Sequence, residues 1–73
     1  MKQPISVLDV VALVEDLPEK GLVGGQVGTI VEVLAPGVFE VEFIDKRTGH
    51  PFAMLALRAE QLLPLRYVPV QPA

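Results

Sequence analysis

Cysteine, tryptophan and asparagine are missing from this chain of 73 residues, and histidine occurs once, as His50. Without cysteine there is no disulfide framework, no thiolate zinc site and no cysteine nucleophile. A single imidazole leaves any histidine-rich metal site to a second chain. Charge is scarce as well. Six Lys and Arg stand against nine Asp and Glu, 21% of the chain in all, for a net charge of −3. Nucleic-acid affinity rests on a basic surface, and this balance does not supply one. The longest unbroken apolar run is the six residues 52–57, whereas a membrane-spanning helix needs about 20. Met1-Lys2-Gln3-Pro4 leads into no apolar signal core, so a cytoplasmic protein without a membrane partner is expected.

What is present is apolar. Hydrophobic residues make up 51% of the chain and the mean hydropathy is +0.46, too high for a disordered polypeptide. A chain this short is one small domain, and below about 70–80 residues one core rarely contributes more than about 3–5 kcal/mol. With disulfides excluded and a metal not indicated, the remaining staples are an unusually apolar core or association with another chain.

Glycine and proline divide the sequence into segments. Residues 10–14 read two ways. Val7, Val10, Val11 and Val14 recur at helical spacing, with Ser6 and Asp9 resembling a helix start. The run is nonetheless short, rich in valine and closed by Pro18, which favours a buried strand. Residues 15–25 carry Pro18, several charges and the glycines Gly21, Gly24 and Gly25, and form a long loop. Residues 27–34 read as a second strand, with Val27, Thr29, Val31 and Val33 on one face and Ile30, Glu32 and Leu34 on the other. Ala35-Pro36-Gly37-Val38 has the residues of a type II turn. The strand after it, residues 38–43, alternates most cleanly: Phe39, Val41 and Phe43 inward, Glu40 and Glu42 outward. A turn over residues 45–49 leads to a fourth strand, 51–57, a helical turn over 58–61 and a short closing strand, 62–65. Five short strands and tight turns predict an all-β fold, a small five-stranded barrel or strongly bent sheet with one helical turn before the last strand. Residues 1–65 form the domain and residues 66–73 a proline-containing tail.

Leu8-Asp9-Val10-Val11-Ala12-Leu13, Asp16-Leu17-Pro18-Glu19, Gly25-Gln26-Val27-Gly28-Thr29-Ile30-Val31, Phe39-Glu40-Val41-Glu42-Phe43 and Ala59-Glu60-Gln61-Leu62 together resemble a family of short bacterial proteins of unknown function. The resemblance implies an SH3-like barrel, hence a strand at residues 10–14, and an accessory or antitoxin-like role. It carries no catalytic residues. The nine residues from Gly25 to Val33 are also similar to the KOW motif of ribosomal and transcription-factor barrels, which implies RNA binding as the alternative function. Glu32, Glu40 and Glu42 stand where an RNA-binding face would carry Lys or Arg.

No residue pattern points to catalysis. Gly21, Gly24, Gly25 and Gly28 match no phosphate-binding loop, and their expected role is to permit bends into the second strand. Ser6, His50 and one of Asp9, Asp16 or Asp45 could formally make a triad, but no nucleophile-elbow motif accompanies them. The chain is therefore expected not to be an enzyme, and no cofactor, metal or small-molecule substrate is expected. Glu32, Glu40 and Glu42 could cluster around a cation, although a solvated face that keeps an apolar domain soluble is preferred. Lys46, Arg47 and His50 form the only basic cluster, on a turn that could meet a phosphate or an acidic partner.

The fourth strand is the most informative. Phe52, Met54 and Ala56 face one way, and Ala53, Leu55 and Leu57 the other. A strand apolar on both faces is normally covered on both, while a small barrel has one interior. Either the tail, through Tyr67, Val68 and Val70, covers the second face, or another chain does. The expectation is protein binding or self-association through Phe52, Met54, Leu55 and Leu57. Acidic loop residues Glu15, Asp16 and Glu19 would steer the partner.

Overall fold

The computed structural model describes residues 5–66. Five strands, β1 (Val10–Leu13), β2 (Val27–Ala35), β3 (Val38–Ile44), β4 (Pro51–Arg58) and β5 (Leu62–Pro64), make one sheet in the order β4-β3-β2-β1-β5. Every neighbouring pair is antiparallel. The fold is all-β, with two single 3₁₀ turns, Pro18–Lys20 in the long loop and Ala59–Gln61 before β5.

The helical alternative for the first segment is overturned. Val11 pairs with Gly28 on one side and with Pro64 on the other, which only an extended strand can do. β1 ends at Leu13, and the next residue, Val14, donates its N–H to the Gln61 carbonyl. Between β2 and β3, Pro36 and Gly37 form the turn, and Gly37 has φ +75°, the conformation a type II turn demands at its third position. The Gly37 carbonyl also accepts the Ala59 N–H, fixing the 3₁₀ turn to the hairpin.

The inner face carries the core. Val11, Leu13, Ile30, Phe39, Val41, Phe43, Leu57 and Leu62 are buried, and Leu22 reaches in from the loop to join them. β3 follows the alternation of its sequence, with Phe39, Val41 and Phe43 inward. Gly28 has a steric reason: a Cβ there would lie 2.8 Å from Val41 Cγ1 and 2.9 Å from the Glu42 carbonyl oxygen.

Two findings refine these expectations. First, of the barrel and the bent sheet, the sheet is the unclosed form: β4 and β5 are its edges, and no ladder joins them among the described residues. β5 is only three residues long and ends in Pro64, whose ring has no N–H to extend a ladder. Second, β2 does not keep one alternation from end to end. Its register against β3 shifts between Ile30 and Glu32 and again between Val33 and Ala35. A bulge inserts an unpaired residue and reverses which face follows. Ile30 opposes the inward Val41, and Val33 opposes the inward Phe39, so these two share a face that strict alternation assigns to opposite sides.

Candidate partner-binding groove

The four residues expected to bind a partner do not form one surface. Side chains alternate along β4 from Ala53 to Arg58, where the pairing fixes which way each points, while Phe52 stands unpaired in a bulge. Leu57 opposes Phe39 and Leu55 opposes Val41, both core residues. Leu57 is 3% exposed and belongs to the core, while Leu55 is half-buried against it. Phe52 and Met54 point outward and are 46% and 52% exposed. An apolar contact surface on this strand is therefore Phe52 and Met54, with Ala56 beyond them. Tyr67, Val68 and Val70, the alternative internal cover, lie outside the described residues.

β4 is an open edge, and from Pro51 to Leu57 it carries no charge. Most exposed edges are blunted by charge, proline or shortness. β5 follows that rule through its length and Pro64; β4 has Pro51 and a bulge beside it, where Phe52 stands unpaired between the Pro51–Ile44 and Ala53–Phe43 pairs, and is regular from Ala53 to Leu57.

Where β4 begins, the outward face deepens into a groove of about 680 Å³, lined by Gly25, Gln26, Val27, Ile44, Phe52 and the turn residues 45–47. Its floor is apolar, with Val27, Ile44 and Phe52 each at least two-fifths exposed. Its rim is the β3–β4 turn. The Asp45 N–H donates to the His50 carbonyl, and the Thr48 and Gly49 N–H groups donate back to the Asp45 carbonyl. Asp45 Oδ1 accepts the Arg47 backbone N–H at 2.8 Å. That bond, aided by the nearby guanidinium, holds the Asp45 carboxyl below its ordinary value of 3.8. The Arg47–Asp45 ion pair is long, 3.4 Å, and the Arg47 side chain is 83% exposed. Lys46 makes no ion pair among the described residues. The groove thus joins an apolar floor to a cationic rim.

On the opposite wall, the loop is set by its own side chains. Asp16 Oδ1 accepts the Gly24 N–H at 2.7 Å and Gln26 Oε1 accepts the Val23 N–H at 2.7 Å. Gly21 and Gly25 have φ of +71° and +93°, the bends expected of glycines in this loop. Glu15 and Glu19 are exposed.

The remaining candidates form no chemical site. Glu32 lies directly opposite Glu40 across β2 and β3, and Glu42 opposes Thr29. Two carboxylates facing across strands repel. Among the described residues no group of three or more His, Asp or Glu is placed to hold a metal ion. Ser6 is tied to Asp9, whose Oδ2 accepts the Ser6 N–H, and the His50 N–H donates to Thr48 Oγ1. No hydrogen bond joins Ser6 to His50. Sequence reasoning missed Leu8, which has φ +78° and is 76% exposed. A leucine in the left-handed region is uncommon, and its sequence neighbours give no sign of it. No helix among the described residues is long and apolar enough to cross a membrane.

Fold and groove together define a small all-β domain with one short, proline-ended edge, one longer edge that is uncharged before Arg58, and a basic-rimmed apolar groove on the outward face where β2, β3 and β4 meet. The family model of a domain of unknown function, DUF4926, matches residues 7–64, and the chain belongs to that family. No curated protein and no solved structure matches it.

Proposed function

We propose that this chain is a non-catalytic protein-binding module of the SH3-like type, working in a bacterial cytoplasm as an accessory subunit or antitoxin-like partner. The observation that carries this reading is the outward face of β4, where Phe52 and Met54 stand exposed on an uncharged sheet edge. Exposed apolar patches rimmed by polar residues mark interaction surfaces, and an open edge offers a ready row of backbone donors and acceptors. The strand order and the 3₁₀ turn before the last strand support the SH3-like reading. The outward Glu40 and its facing Glu32 speak against the KOW-like, nucleic-acid alternative.

The test is recovery of the tagged chain from its native host after nuclease treatment, beside the variant Met54→Lys. Because Met54 points to solvent, the variant should keep its unfolding free energy within about 0.5 kcal/mol. The wild-type chain should retain a defined protein at stoichiometric amounts and the variant should lose it. Equal retention by both, or a partner lost on nuclease treatment, would overturn the proposal.

A further inference from the structure

The groove specifies more than the presence of a partner. We infer, on the binding-module reading, that β4 and the groove take an extended peptide segment with apolar residues at alternate positions and an acidic end, added as a sixth strand on the β4 edge.

The first support is the edge. β4 is the outermost strand next to β3, eight residues long, and uncharged until Arg58. Strand addition supplies affinity through main-chain hydrogen bonds and specificity through every second side chain. The second is the spacing of the apolar anchors. Met54 and Ala56 are two residues apart on the outward face of the regular ladder, and Phe52 stands exposed in the bulge at its start, so a strand laid alongside meets them with alternate residues on its own face. The third is charge. Lys46 and Arg47 supply two of the chain's six basic residues, and both lie at the rim where β4 begins. Apart from them the chain holds four basic and nine acidic residues. The rim is a cationic island on an acidic molecule, and it complements carboxylates. Asp45 offsets part of this island, since its carboxylate meets the Arg47 guanidinium at 3.4 and 3.5 Å while accepting the Arg47 backbone N–H, but Lys46 makes no ion pair among the described residues and the Arg47 side chain stays 83% exposed.

The same arrangement disfavours a second copy as occupant. An antiparallel pairing of two β4 strands centred on Met54 sets Arg58 of one copy opposite His50 of the other, so each basic turn would meet an arginine already paired with Glu60 rather than a free carboxylate.

The experiment is a two-dimensional NMR titration of the full 15N-labelled chain. The probes are two blocked synthetic peptides, Asp-Asp-Val-Thr-Val-Thr-Val and its counterpart with Lys-Lys in place of Asp-Asp. The acidic peptide should shift the amides of β4 and of residues 45–50, leaving β5 unmoved. The Lys-Lys peptide should bind about tenfold more weakly, the scale of two exposed ion pairs and their reversal. The variant Lys46→Glu/Arg47→Glu should lose the preference, and raising the salt to about 0.5 M should narrow it. Equal affinity for both peptides, shifts confined to other elements, or no shifts overturn the inference. So do β4 shifts that follow protein concentration without peptide, which would assign the edge to a second copy. A protein partner retained equally by the wild type and by Lys46→Glu/Arg47→Glu would leave the binding-module reading standing and remove only the acidic specificity.

Discussion

Gly28 shows how much a single position can decide. It lies in the central strand of three, opposite Val11 of β1 and Phe43 of β3, and its missing side chain is what lets Val41 and Phe43 close over the sheet. The contact includes the Glu42 carbonyl, which belongs to the backbone and cannot swing away as a side chain could. Gly28→Ala should therefore lower stability by about 1–3 kcal/mol, measured by urea denaturation, even though alanine suits a strand no worse than glycine. Its place among the glycines was legible from the sequence only as a bend entering a strand. The steric reason was not, because Val41 lies 13 positions away and meets Gly28 only through the register of β2 on β3. Leu8 is a sharper case: nothing about a leucine between Val7 and Asp9 announces a positive φ.

Among the strands, alternation made β3 legible in full, since its apolar and acidic residues take strict turns and the structure follows them. β2 was legible as a strand but not in its facing. A bulge has no residue signature of its own, and after Val31 the assignment of faces changes. β4 was legible as apolar on both faces, and the structure divides those faces between core and solvent. The β3–β4 turn carries a prediction. Asp45 is held below its ordinary value by hydrogen bonds present only when the turn is folded. A carboxyl lowered in the folded state stabilises it above the unfolded value and loses that contribution as pH falls through the lowered one. The turn should thus be fully formed above pH 3.8 and loosen below it. Amide exchange at Arg47, Thr48 and Gly49 should rise on acidification beyond the intrinsic pH trend, and Asp45→Asn should remove much of that dependence. An unchanged dependence in the variant would show that Asp45 does not hold the turn.

Across the complete fold, the division of labour lies between two edges. β5 is short and ends in proline; β4 is long, uncharged before Arg58, and begins at the basic-rimmed groove. The basic cluster and the apolar strand were visible separately in the sequence. Their union was not, because the groove gathers residues from 25–27, 44–47 and 52, and only the order β4-β3-β2 sets those segments side by side. The sequence left barrel and bent sheet open, since the strand count of a barrel and of an unclosed sheet is the same. If the outward face of β4 is where this chain meets its partner, a crosslinker placed there must capture that partner. A photo-crosslinking amino acid introduced in the native host at Met54 reads this out, with Leu34 as a control that is also exposed but lies at the far end of β2. Position 54 should yield a discrete crosslinked protein and position 34 should not. Crosslinks from 34 alone, or from neither position, would place the partner elsewhere and refute the assignment of β4.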